Sequence, residues 1–348
     1  MNDRGCFSGK IAQGFSFGAA VSSNSPVLGP AAEAVDNSPK KNVEWGLLDS
    51  PWRNVDFTEE NREVLMHYIA SYKPSCESVS EARVLLLGPV GAGKSSFISS
   101  VHSVFSGRVT NRAMVGTSGT SFTQKLRTFT IQGRGESGDQ PTGLVLCDVM
   151  GLGEGEMSGL TLHDALAVIR GHTPEGHKVH MRERQPMLES STQNQNKFSP
   201  EQPVRPETVG YVKKPSAKEK VHCVAFVVDA TKIESHTKGM ASTFRQLREH
   251  ISDLGVHQVA LLTHVDQVCQ ATAGDITKVY RSQLLKKTME RAAVLLGMSM
   301  SYIVPVKNYS SELDVDGNID TLLLCAVKHI LQYVDLYFKD NLEAKVVL

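Results

Sequence analysis

Residues 83–87 read Arg-Val-Leu-Leu-Leu and run straight into Gly88-Pro-Val-Gly-Ala-Gly-Lys-Ser95, a match to G-x-x-x-x-G-K-[ST]. The stretch from Lys94 to about residue 105 then continues with a helical pattern. A strand, a glycine-rich turn and a helix in this order leave few folds open. The turn Gly88, Pro89, Val90, Gly91, Ala92, Gly93 can curl so that backbone N–H groups point inward, and the helix start adds its positive dipole end. Such a cradle suits phosphate groups. Lys94 is expected to reach the outer phosphates of a nucleotide and the Ser95 hydroxyl to ligate Mg²⁺, with Ser96 next on the same helical turn.

The rest of the chain agrees with that beginning. Short apolar runs at 143–147, 221–228, 258–262 and 301–306 alternate with amphipathic stretches, and a polar–apolar alternation spans 124–132. Nearly continuous apolar strands separated by helices predict an α/β fold of the P-loop NTPase type, with a mostly parallel sheet covered by helices on both faces. A helix is expected from Trp52 to Lys73, with Thr58 as N-cap and Pro74 ending it, and a last helix over 319–338. Residues 1–42, rich in Gly, Ser, Ala and Pro, read as a disordered tail. Residues 43–80 read as a helical segment packed on the next domain, and 81–340 as a P-loop GTPase-like domain. That domain carries a polar, proline-containing insertion at about 171–220.

Charge and composition narrow the partners. Thirty-seven basic residues balance thirty-seven acidic ones, so no net field draws the chain to nucleic acid, and phosphate binding has to be local. No uninterrupted apolar run of membrane-spanning length and no signal-peptide pattern is seen, which predicts a soluble, intracellular protein without a transmembrane segment. The six cysteines occur singly, without a C-x-x-C pair, and read as reduced thiols. His172, His177 and His180 lack a fourth partner at zinc-ligand spacing and read as exposed loop histidines. Lys213, Lys214, Lys218 and Lys220 read as a solvated approach to the next strand.

Three further segments fit a nucleotide site. Asp148-Val-Met-Gly151 ends the apolar run at 144–147. Its carboxylate would hold Mg²⁺ through water and Gly151 would offer its N–H to a γ-phosphate, although a plain strand-ending turn has the same appearance. Thr117 and Thr120, in Val115-Gly-Thr-Ser-Gly-Thr-Ser121, are the candidates for a switch segment that orders around a γ-phosphate and Mg²⁺; a polar loop is the alternative. Thr263-His-Val-Asp266 looks like the [NT]-K-x-D base-reading motif with His264 in place of lysine. A carboxylate at Asp266 would accept two hydrogen bonds from guanine's edge, which adenine cannot supply. Asn308 would lie on the same base side. GTP or GDP with Mg²⁺ is the expected ligand.

With these motifs placed, the chain resembles the interferon-induced protein 44 family. The resemblance is carried by 83–96, by Leu146-Cys-Asp-Val-Met-Gly-Leu152, by His222-Cys-Val-Ala-Phe-Val-Val-Asp229, by Val259-Ala-Leu-Leu-Thr-His-Val-Asp266 and by Asn308-Tyr-Ser-Ser311. It implies an interferon-inducible, cytoplasmic, GTP-binding protein of the antiviral and innate immune response. The histidine in the base motif is shared with that family. Longer members carry an N-terminal TLDc domain, for which residues 1–42 offer no room, so the chain reads as a short form.

Two classes of function then compete, a GTP-hydrolysing enzyme and a nucleotide-dependent switch or scaffold. The residue after Gly151 separates them. Many small GTPases place a water-orienting glutamine there, whereas this chain has Leu152. The expectation is therefore a switch or scaffold with weak or partner-dependent GTPase activity, its protein partner unknown, and with nucleotide-dependent self-association as one way to complete the site. A self-activating GTPase and an ATP-binding P-loop protein are the alternatives.

Overall fold

The computed structural model describes residues 46–113, 126–135, 138–153, 159–176, 178–179, 197–198, 204–208 and 210–346. The expected tail at 1–42 and the switch candidates Thr117 and Thr120 lie outside the described residues.

Helix α1 (Glu59–Ala70) begins at Thr58, whose side chain accepts the Asn61 N–H. Thr58 is the expected N-cap, and the helix ends at Ala70, short of Lys73; Trp52 and Arg53 precede it, Trp52 meeting Tyr280 edge-on and Arg53 donating to the carbonyls of Met300 and Ile303. Strand β1 (Ala82–Leu87) leads into α2 (Lys94–Ser106), and β2 (Arg127–Gly135) pairs antiparallel with β3 (Gly138–Asp148). Strand β3 extends back from the apolar run at 143–147 to Gly138, through Gly138-Asp-Gln-Pro141, which carries no apolar run. Pro141 sits opposite Gln132 just past a shift in register between Thr130 and Gln132, an irregularity of the kind that accommodates proline in a ladder.

Helix α3 (Leu162–Ile169) follows, then the two-residue strands β4 (Lys178–Val179) and β5 (Lys197–Phe198), paired parallel in a separate small sheet. The core resumes with β6 (Cys223–Asp229), a 3-10 turn (Ala230–Ser235), α4 (Lys238–Asp253) and β7 (His257–Thr263). The short helices α5 (Val265–Val268) and α6 (Gln270–Gly274) precede α7 (Gln283–Leu296), β8 (Ile303–Pro305) and the long α8 (Gly317–Val346).

The main sheet has the order β2-β3-β1-β6-β7-β8, parallel throughout except for β2. Every residue of β6 is buried. Successive side chains of a strand point to opposite faces, so both faces must be covered. Helices α1 and α2 both pack on α8, and α3 and α7 both pack on α4. This is the α/β, mostly parallel architecture that the sequence pattern predicts.

Helix α8 is long and apolar enough over Gly317–Asn341 to cross a membrane by length and composition alone. In the fold its apolar residues Leu322, Leu323, Val327, Ile330, Leu331 and Val334 are buried instead, so the hydropathy is that of a core helix.

Two polar groups hold this frame, one at the amino end of β6 and one in the loop that follows β8. His222, fully buried just before β6, accepts the Arg83 N–H at Nδ1 (2.9 Å) and lies 2.9 Å from the Ala217 carbonyl at Nε2. Nδ1 must therefore be bare and Nε2 protonated, which is the neutral ring. Burial, with the Arg83 charge adding to it against the Ala217 carbonyl, brings its pKa down to about 4. In the loop after β8, the Tyr309 hydroxyl donates to Asp320 Oδ1 (2.7 Å) and accepts the Asp316 N–H (2.7 Å), while the Tyr309 N–H donates to Ser100 of α2. Asp320 in turn faces Arg62 of α1, which also pairs with Glu59.

The histidines of the insertion need one correction. His172 is half-buried rather than exposed, stacked on Tyr211 with ring centroids 4.9 Å apart and bonded through Nδ1 to the Val212 carbonyl at 2.8 Å. A lone histidine beside a loop aromatic gives no periodic signal that could have shown this. His177 and His180 lie outside the described residues. Lys213, Lys214, Lys218 and Lys220 are exposed.

Candidate functional site

The carboxyl ends of β3, β1, β6 and β7 are adjacent in the sheet, and the phosphate-loop, Asp148–Gly151 and Thr263–Asp266 motifs lie on that edge. The loop 88–93 leaves β1 pressed against β6. A Cβ on Gly88 would sit 2.0 Å from the Val227 carbonyl oxygen, so only glycine passes there. The loop ends at Gly93, left-handed with φ 91°, and α2 starts directly after it. Lys94 is buried and donates to the loop's own carbonyls, Gly88 and Pro89, both at 2.9 Å. Burial draws its pKa down to about 8, with the Asp148 charge working in the opposite direction.

One residue on, the Ser95 hydroxyl donates to Asp148 Oδ2 at 2.6 Å. Asp148 reaches this position because β3 runs parallel to β1 with Leu86 and Asp148 in register. A hydroxyl and a carboxylate at this separation are hard oxygen donors of the kind Mg²⁺ takes together with phosphate oxygens and water. Among the described residues no cluster of three His, Cys, Asp or Glu side chains is placed to hold a metal.

The segment after Asp148 folds back onto the loop. The Leu152 N–H donates to the Gly88 carbonyl at 2.9 Å, and Leu152 bridges Pro89 on one side and Gly159 on the other. Gly151 lies so close to Val90 that a Cβ would meet the Val90 nitrogen at 2.7 Å. Leu152 is 2% exposed. The position where a water-orienting side chain would stand is thus a buried leucine bonded by its backbone to the phosphate loop.

The base motif is tied to the same loop. The Thr263 hydroxyl, fully buried at the end of β7, lies 2.8 Å from the Ala92 carbonyl and 3.1 Å from that of Val228. His264 is the single non-glycine residue with positive φ among the described residues, at 55°. That turn directs the chain into α5 and carries Asp266, which is half-buried and whose side chain takes part in no hydrogen bond or ion pair among the described residues. From the next loop, Asn308 Nδ2 donates to the Gly93 carbonyl at 3.2 Å, while its buried Oδ1 has no partner among the described residues. A buried acceptor of that kind is costly unless a donor arrives.

Two residues of this edge escaped the sequence reading. Asp229, at the end of β6, faces His264 Nδ1 with Oδ1 (3.2 Å) and Lys232 Nζ with Oδ2 (3.3 Å). Burial would raise its pKa, yet hydrogen bonds from His264 and Thr231 hold it well below the usual carboxylate range. The aspartate closes an apolar strand, and a lysine three residues later resembles any solvated turn, so only the fold reveals the cluster.

Relatives can now be set beside this geometry. Interferon-induced protein 44 of Homo sapiens is 35% identical over 288 residues, which is 83% of this chain and 60% of the relative. The Mus musculus protein of the same name is 34% identical over 79% of this chain and 60% of its own length. The chain belongs to the interferon-induced protein 44 family. Interferon-induced protein 44-like of Homo sapiens is 33% identical, over 81% of this chain and 58% of that protein. The chain therefore spans about 60% of the length of the family members it matches. No family model matches the sequence. Among solved structures the chain is similar to a probable GTP-binding protein engB, at 9% identity, covering 73% of this chain and 98% of that one with a TM-score of 0.33. So slight an overlap adds nothing to the fold, which rests on the strand order above.

Proposed function

We propose that this member of the interferon-induced protein 44 family binds GTP and GDP with Mg²⁺ and works as a nucleotide-dependent switch or scaffold. Its setting would be the cytoplasm, in the interferon-induced antiviral and innate immune response. Hydrolysis would be slow or dependent on a partner, which a second copy of the chain could supply. The carrying observation is Leu152: the place for a water-orienting group is filled by a buried aliphatic side chain whose N–H is bonded to the phosphate loop.

The other residues support nucleotide binding at this edge. Lys94 would leave the Gly88 and Pro89 carbonyls for the phosphates, where a charge-assisted bond is stronger than a neutral one. Ser95 and Asp148 would part to hold Mg²⁺, the latter through water; the cation neutralises charge on the phosphate oxygens. Thr263 pins the base motif to the loop, and Asp266 would accept from guanine's paired N–H groups. Leu152 can neither donate nor accept through its side chain, so nothing at that position would orient water for attack.

Equilibrium binding of GTP, GDP and ATP to the purified chain, followed by single-turnover hydrolysis, tests the proposal. Guanine nucleotides should bind in preference to ATP, and turnover should lie well below about 1 per second. Equal competition by ATP would remove the guanine assignment. Fast turnover that does not depend on protein concentration would make the chain a self-sufficient GTPase.

A further inference from the structure

The base motif lacks its lysine: His264 stands where the aliphatic stem and ammonium of that residue would be. An ammonium nevertheless reaches the phosphate loop from another element. Asp229 ends β6, the strand between β1, which carries the phosphate loop, and β7, which carries the base motif. Its Oδ1 accepts the Thr231 N–H (2.9 Å) and hydroxyl (2.7 Å), which fixes the carboxylate at the start of the turn Ala230–Ser235. From that fixed position its two oxygens face His264 and Lys232. Lys232 then extends to the loop wall, where a Cβ on Gly91 would be 3.7 Å from its Nζ.

An exposed ion pair three residues apart would by itself contribute little. This pair differs in two respects. Its carboxylate is buried and shared with the histidine of the base motif, and its ammonium adjoins the phosphate loop instead of pointing to solvent alone. The loop's glycine wall and the base motif meet at this cluster, and on the guanine-nucleotide reading that meeting point is where the base and ribose half would join the phosphates.

We infer that Lys232 and His264 divide the work of the missing lysine. The Lys232 ammonium braces the phosphate loop at Gly91 and contacts the base-side half of a bound guanine nucleotide, and the His264 ring lies along the base. Asp229 is the positioning residue for both. This inference rests on the guanine-nucleotide reading above. Because the contacted half is common to both nucleotides, Lys232 contributes equally to GTP and GDP, unlike Lys94, which favours the triphosphate.

Calorimetric titration of the full chain with Mg-GTP and Mg-GDP tests the assignment, using wild type, Lys232→Met, Lys232→Arg, Asp229→Asn and Lys94→Ala. Lys232→Met keeps the stem and loses the charge. It should weaken both nucleotides by the same factor, about tenfold or more, while Lys232→Arg retains most of the affinity. Asp229→Asn should weaken both as well, and Lys232→Met should then add little on top of it. The inference is overturned if wild type binds and Lys94→Ala does not, yet Lys232→Met is unchanged or impaired for GTP alone. A wild-type chain that binds neither guanine nucleotide overturns the functional reading itself, a result distinct from the first.

Discussion

Acid should weaken this fold through His222 in a way that can be calculated. Its ring is neutral in the fold because Nδ1 accepts the Arg83 N–H and Nε2 donates to Ala217. Protonating Nδ1 would set two N–H groups against each other in a fully buried site. The folded chain therefore holds off the proton until about pH 4, whereas the unfolded chain takes it up near pH 6.5. Between those values the unfolded state binds more protons, so stability falls as pH falls. For one such histidine the loss from pH 7.5 to pH 5 is about 2 kcal/mol, rising to about 3 kcal/mol by pH 4. His102, buried beside the charge of Arg112, is likewise held at about 4 and adds a comparable amount. Urea denaturation at pH 7.5 and pH 5 measures the effect in wild type and in His222→Leu. The variant should be less stable at pH 7.5, having lost both hydrogen bonds, but should lose about 2 kcal/mol less than wild type on going to pH 5. An identical loss in both proteins would refute the account of the neutral ring.

Gly88→Ala places a Cβ 2.0 Å from the Val227 carbonyl and should cost at least about 3 kcal/mol, seen as a lower Tm in thermal unfolding followed by circular dichroism. Leu152→Gln buries an amide in a site that is 2% exposed; the expected result is a loss of about 2 to 4 kcal/mol with no gain in GTP hydrolysis, and a faster single turnover would show that the leucine is merely a missing glutamine. Asp266→Asn presents one acceptor and one donor, so preference should move from guanine toward xanthine nucleotides in competition binding. An unaltered preference would remove Asp266 from the base site.

The fold class was legible because its signals are local. The strand before Gly88, the glycine turn and the helix after it are contiguous, and the near-continuous apolar run that becomes β6 already indicates burial on both faces. The positions of Asp148 and Thr263 at strand ends could be read in the same way. What could not be read were contacts between elements distant in sequence. Nothing in the turn after Asp229 announces that its carboxylate will hold His264, or that Lys232 will lie beside Gly91. The burial of Leu152 was equally hidden, since it depends on Gly88 and Gly159 coming together around it. The reach of β3 beyond 143–147 was hidden as well, since Gly138-Asp-Gln-Pro141 has no apolar run and its proline is accommodated where the ladder shifts register.

The Tyr309 hydroxyl, finally, is a node shared by three parts of the molecule. It follows directly after Asn308 in the loop beside the base motif, its backbone is fastened to Ser100 on the phosphate helix, and its phenol is held at the start of α8 by Asp316 and Asp320. Through Asp320 the same node extends to Arg62 on α1. These bonds act like the guy lines of a mast: none of the anchored elements can shift without changing the tension on the others. A displacement of Asn308 would be felt at the beginning of both α1 and α8, and a load applied to either helix would travel back to the loop.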